Sequence, residues 1–163
     1  MITHERALAA IGTVPDPEVP AISVVELGVV RAVTVSDAGA VTVTITPTYS
    51  GCPAMFEIER DIRTALEDAG ASRVEVRTVL SPAWTTDWMG PEAREKLRAY
   101  GIAPPGRAEQ DGLITLTRAR PPVACPFCGS HETELRSEFG STACKAIHVC
   151  RACQQPFDEF KAI

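Results

Sequence analysis

Apolar and polar positions repeat with two different periods along this chain, and the switches between them mark out its elements. Ala7, Leu8 and Ile11 share one face of a short helix over residues 3–12, with Thr3 as its N-cap and Gly12 as its stop. Val29 to Val35 reads as a strand and Ser36-Asp37-Ala38-Gly39 as a hairpin turn. The next strand, residues 40–46, alternates strictly between apolar and hydroxyl side chains from Val41 to Thr46, the mark of a half-buried sheet. The period then lengthens. Met55, Ile58, Ile62, Ala65, Leu66 and Ala69 recur at helical spacing, which predicts a helix from Pro53 to Ala69 ended by Gly70. Val74 to Val79 alternates again, a third strand that a right-handed crossover returns to the sheet.

This order predicts an α+β fold: a small two-layer domain with helices on one face of a mixed sheet. Beyond it come a loop holding both tryptophans, Trp84 and Trp88, then a helix from Pro91 to Tyr100 and strand character over Leu113 to Thr117. Two large aromatics in an irregular segment read as a lid on the core or as a docking patch. Pro121-Pro122 marks a boundary. The expected organisation is an α+β domain with its extension over 1–120 and a small cysteine-rich module over 121–163.

Composition changes little in this picture. The chain has 163 residues, 45% hydrophobic and 23% charged, as ordinary globular domains do. Its net charge is −5 and its basic residues are scattered, which argues against nucleic acid as the main partner. No apolar run approaches the length of a membrane span, and the first residues lack the layout of a signal peptide, so a cytoplasmic protein is expected.

Candidate chemistry starts at Thr46-Pro47-Thr48-Tyr49-Ser50-Gly51-Cys52-Pro53, where the second strand gives way to the long helix. Pro53 suits the first helical position, which puts Cys52 close to the N-cap. Free N–H groups and the positive end of the helix dipole favour a thiolate there. The plain alternative is a buried small hydrophobe at a strand–helix joint. Upstream, the proline-rich loop Val14 to Pro20 holds Asp16 and Glu18 in a stiff segment.

The other five cysteines lie between Cys125 and Cys153. Cys125-Pro126-Phe127-Cys128 and Cys150-Arg151-Ala152-Cys153 form two Cys-x-x-Cys knuckles with 21 residues between them. Such spacing lets both sulfurs of a knuckle reach one metal while backbone N–H groups point at them. Four thiolates suit structural zinc, whose binding supplies folding energy that so short a segment lacks. Iron or an iron–sulfur cluster is the alternative occupant. Cys144 reads as a packed residue, with an exchangeable ligand or a reactive thiol as alternatives; His131 and His148 read as surface residues. From Cys125 onward four basic side chains face five acidic ones, unlike a nucleic-acid-binding ribbon.

Asp16-Pro17-Glu18, Ser23-Val24-Val25-Glu26-Leu27-Gly28 and Gly51-Cys52-Pro53 together resemble the iron–sulfur assembly domain of SufT-like proteins. With Ser81-Pro82-Ala83-Trp84-Thr85-Thr86-Asp87-Trp88, Tyr100-Gly101-Ile102-Ala103-Pro104-Pro105 and the cysteine tail through Lys161, nearly the whole chain resembles the PaaD family, found in bacterial 1,2-phenylacetyl-CoA epoxidase systems. The resemblance implies an accessory role beside a di-iron oxygenase and an iron–sulfur flavin reductase, assisting assembly or insertion of iron or iron–sulfur centres rather than turning over substrate. It carries the family's reactive cysteine onto Cys52 and its acidic loop onto Asp16 and Glu18. The tail cysteines map onto Cys125, Cys128, Cys150 and Cys153. The implied cofactors are structural zinc in the tail and a transient iron or iron–sulfur cluster at Cys52.

The residues agree with a non-catalytic chain. None of His4, His131 and His148 lies three residues after a glutamate, as a di-iron oxygenase helix requires, and no Gly-x-Gly-x-x-Gly stretch offers a nucleotide cradle. Two rival readings stay open: a purely structural scaffold within the oxygenase complex, and a thiol–disulfide oxidoreductase using one Cys-x-x-Cys pair. A homodimer through a sheet edge is also open.

Overall fold

The computed structural model describes residues 1–107 and 121–163. The strand expected at Leu113 to Thr117 lies outside the described residues, as does residue 120, where the first domain is expected to end. The described residues form two compact units, Met1–Ala93 and Arg94–Ile163.

In the first unit, α1 (His4–Gly12) is capped by Thr3, whose hydroxyl accepts the Arg6 N–H, and it buries Ala7 and Ile11. Strands β1 (Val30–Val35) and β2 (Ala40–Ile45) form the antiparallel hairpin, and β3 (Arg73–Thr78) joins β2 in parallel, giving the order β1-β2-β3. The crossover between β2 and β3 is α2 (Ala54–Asp68), which buries Ala54, Ile58, Ile62 and Leu66. These side chains and Val41, Val43 and Ile45 of β2 belong to the buried core, while Thr42 and Thr44 alternate to the other face. The hydroxyl alternation seen in the sequence is therefore this sheet's two-sidedness.

Between α1 and β1 the chain makes a tight loop closed by the Pro15–Ser23 bridge. A reciprocal pair then forms: the Glu26 carboxylate accepts the Ser23 N–H at 2.8 Å, and the Ser23 hydroxyl accepts the Glu26 N–H at 3.2 Å. That turn ends at Gly28, whose φ is +83°. Trp84 is buried and donates its indole N–H to the Leu27 carbonyl at 3.1 Å, so the tryptophan loop seals the core here. The Arg31 guanidinium stacks on Trp88, 3.4 Å from the ring centroid. A Cβ added at Gly28 would lie 3.0 Å from the Trp88 Cβ and 3.2 Å from its carbonyl oxygen. Gly28→Ala is accordingly expected to cost about 1–3 kcal/mol from backbone strain alone. A urea melt reads this directly, and an unchanged midpoint would mean that the loop shifts freely.

In the second unit, β4 (Ile102–Ala103), β5 (Thr133–Ser137), β6 (Lys145–Cys150) and β7 (Pro156–Phe160) make a sheet of order β4-β7-β6-β5. Its three long strands are antiparallel neighbours, and β4 adds in parallel to β7. Helix α3 (Pro91–Ala99) precedes β4 through Gly101, whose φ of +90° and closeness to the Phe127 ring suit glycine alone. Ala103, Cys125, Cys150 and Phe157 form a small buried cluster, so the cysteine knuckles are part of this unit's core. His148, expected at the surface, is buried. The β6 alternation turns it inward beside Phe157, with Nε2 2.7 Å from a Glu159 carboxylate oxygen.

Candidate functional site

Two groupings of reactive side chains stand out, one in each unit. The first is built on the exit from β2. Thr46 donates its N–H to the Val29 carbonyl, and a turn closed by the Cys52 N–H on the Tyr49 carbonyl (3.3 Å) reverses the chain. Gly51 supplies the positive φ of +85° that this turn needs. Pro53 is the N-cap rather than the first helical residue, so Cys52 sits one position before the cap and Ala54 opens the helix. Cys52 itself is buried, with 9% of its surface exposed.

Its electrostatics reverse a simple expectation. Burial pushes the Cys52 thiol above its ordinary range; the Ala54 N–H opposes this, the Glu18 carboxylate adds to the rise, and the Thr48 and Tyr49 hydroxyls oppose it. The helix start does favour the thiolate, as its position predicts. Desolvation and one nearby negative charge outweigh it. Glu18→Gln removes that charge and is expected to lower the thiol pKa. Alkylation of Cys52 by iodoacetamide at neutral pH, followed on the Cys52 peptide by mass spectrometry, should then run several-fold faster than in the wild type. An equal rate would remove Glu18 from the site.

Asp16 and Glu18 do different work. Asp16 is buried, and its Oδ1 accepts the N–H groups of Glu18 at 2.9 Å and Val19 at 2.7 Å. It holds the loop's shape. Glu18, half-buried, is the carboxylate whose charge reaches Cys52. Sequence reasoning does not single out Thr48 and Tyr49; their place inside the turn that presents Cys52 is the available signal.

The second grouping is the pair of knuckles, and they are built alike. In one, the Cys125 N–H donates to the Ser130 carbonyl and the Gly129 N–H to the Cys125 carbonyl, each at 2.9 Å. In the other, Cys150 donates to Gln155 and Gln154 to Cys150, each at 3.0 Å. Gly129 and Gln154 hold matching left-handed conformations, φ +75° and +64°. The Sγ atoms of Cys125, Cys128, Cys150 and Cys153 all lie within 4.8 Å of one another. Across the knuckles Cys125–Cys153 is 3.7 Å and Cys128–Cys150 is 3.6 Å. A zinc tetrahedron with bonds of about 2.3 Å has sulfur–sulfur edges of about 3.8 Å, whereas a disulfide needs about 2.05 Å. The geometry fits one tetrahedral ion.

Backbone donors prepare the sulfurs for it. The Cys153 N–H chiefly, with help from that of Ala152, pulls Cys150 down to about 7. The Ser130 N–H pulls on Cys128, yet desolvation and the three neighbouring sulfurs push it up to about 12. Cys153 is also raised: the Gln155 N–H opposes this, but desolvation and the adjacent sulfurs prevail. Four thiols so close compete for protons, and a divalent cation among them resolves the competition. Cys144 is not among these four; it is buried, with its sulfur 3.0 Å from the Thr142 hydroxyl. His131 is exposed and also lies outside the cluster.

Comparison with known proteins joins the two units. Residues 4–78 match the family model of iron–sulfur cluster assembly proteins, and residues 109–161 match that of the PaaD zinc beta ribbon domain. An Escherichia coli (strain K12) protein, described as the D-type subunit of 1,2-phenylacetyl-CoA epoxidase, is 49% identical over 95% of this chain and 90% of its own length. The chain belongs to the PaaD family. Its PaaD-type ribbon follows an assembly-type domain with relatives of its own. An Fe-S protein maturation auxiliary factor of Porphyromonas gingivalis is 38% identical over 58% of this chain and 90% of that protein. A crystal structure of a Bacillus anthracis domain of unknown function, DUF59, superposes with a TM-score of 0.54 at 29% identity, covering 57% of this chain and 89% of that one. Among the described residues of this PaaD-family chain, no helix is long and apolar enough to cross a membrane.

Proposed function

We propose that this chain is an accessory subunit of a phenylacetyl-CoA epoxidase system that carries iron or an iron–sulfur cluster on Cys52 to partner subunits. The carrying observation is the pairing of a buried thiol with Glu18. Together they are disfavoured as two anions, and a cation between them removes the repulsion that each imposes on the other. The Ala54 N–H and the Thr48 and Tyr49 hydroxyls then steady the thiolate sulfur. One thiolate and one carboxylate make an incomplete coordination shell, which suits cargo in transit. The client completes the shell and takes the metal.

In the same reading Cys125, Cys128, Cys150 and Cys153 hold structural zinc. Zinc supplies no redox chemistry there; it closes the knuckles and fixes the ribbon. The clients are the di-iron oxygenase and the iron–sulfur flavin reductase of the system, and both meet this chain in the cytoplasm.

The test is anaerobic exposure of the zinc-loaded protein to ferrous iron, followed by metal analysis of the wild type and Cys52→Ser. Iron bound by the wild type and lost from the variant, with equal zinc in both, is the expected result. Equal iron in both proteins would turn the reading toward a scaffold.

A further inference from the structure

Strand β3 ends its sheet, and among the described residues nothing pairs with its outer side. Its ladder with β2 runs in unbroken register from Ala40↔Arg73 to Ile45↔Thr78. The opposite edge strand, β1, carries an irregularity between Val30 and Ala32, the kind of feature that discourages pairing. A regular open edge is a template for another strand.

The orientation of its groups follows from the ladder. Within a strand the N–H and C=O of one residue point to the same side, and successive residues alternate. Val79 donates to Ile45 of β2 at 2.9 Å, so Arg73, Glu75 and Arg77 also turn their backbone groups inward. Val74, Val76 and Thr78 turn theirs outward. The Arg63 guanidinium agrees with this assignment by donating to the Val74 carbonyl at 2.7 Å. That bond blunts one end of the edge and leaves Val76 at the centre of the open part.

We propose that two copies of this chain pair their β3 strands antiparallel about Val76, joining two three-stranded sheets into one. Val76 would exchange both backbone hydrogen bonds with the partner's Val76. The register then sets Glu75 opposite the partner's Arg77, and Arg77 opposite the partner's Glu75. These side chains lie on the exposed face, 47% and 62% accessible for Glu75 and Arg77, and within one copy they pair at 2.8 Å. Pairing turns two weak surface contacts into a square of alternating charges.

Other registers fail on stated grounds. Centring on Glu75 would oppose glutamate to glutamate and arginine to arginine, and would need backbone groups that β2 already uses. Centring on Val74 would place the Arg63-capped carbonyl on the axis. Since β2 and β3 are parallel to each other and antiparallel to the partner's pair, the two Cys52 turns fall at opposite ends of the joined sheet. Both stay open, and the inference does not depend on what Cys52 carries.

Sedimentation velocity of the full zinc-loaded chain across a wide concentration series tests it, with Glu75→Arg, Arg77→Glu and the double reversal run alongside. Circular dichroism checks that each variant is folded. A concentration-dependent dimer is expected in the wild type. Either single reversal opposes like charges at two symmetric places and should weaken association by about tenfold or more, and the double variant should restore it. A wild type that stays monomeric throughout would overturn the proposal, and so would a dimer indifferent to both single reversals.

Discussion

Cys150→Ser is expected to release the metal and unfold the ribbon while the β1-β2-β3 sheet stays folded. Cys150 is fully buried, belongs to the small cluster with Ala103, Cys125 and Phe157, and anchors its knuckle through both its N–H and its carbonyl. Its sulfur is also the one most prepared to be a thiolate, at about 7. Structural zinc contributes an apparent 10–16 kcal/mol or so at neutral pH, against a whole-domain stability of about 5–15 kcal/mol. Nothing in a cluster of four small and medium side chains replaces that. The amide spectrum should show ribbon resonances collapsing to unstructured positions while those of Met1–Ala93 keep their dispersion, with zinc lost from the protein. A dispersed ribbon without metal would refute the structural role.

Cys52→Ser is expected to do the opposite: leave the fold in place and remove the function. The hydroxyl replaces the thiol in nearly the same volume, and it meets the same Ala54 N–H and the same Thr48 and Tyr49 hydroxyls. A stability change of about 1 kcal/mol or less is reasonable for so small an edit at a partly polar site. As a metal ligand the change is far larger, because a serine hydroxyl is neither soft nor ionised near neutral pH. Iron carriage should fall to background while zinc stays constant. This separation of effects distinguishes the two cysteine sites from each other.

Much of this was legible in the sequence, and the physics says why. The alternation of β2 and the helical spacing of Ile58, Ile62 and Leu66 are local patterns set by one buried face, and both elements appear within a residue or two of their expected limits. The four tail cysteines were legible because knuckle spacing is a local geometric demand. Pro53 fell one position from its expected place because N-cap and first-turn positions both tolerate proline. What escaped was long-range. That Glu18 reaches Cys52 depends on how the Pro15–Ser23 bridge folds the loop back, and no local period encodes it. Burial of His148 depends on β7 laying Phe157 opposite it, and β4 exists only because β7 offers an edge two residues long. The net rise in the Cys52 pKa escaped for the same reason: helix position is readable, but the depth of burial is not.

The central claim is that Cys52 delivers metal and the ribbon cysteines do not. The most direct measurement is the iron occupancy of the di-iron oxygenase, purified without oxygen after co-production with the wild-type chain, with Cys52→Ser, or with neither. The account predicts high occupancy with the wild type, and occupancy with Cys52→Ser no better than with neither, although the variant keeps its zinc. Full occupancy with Cys52→Ser would contradict it.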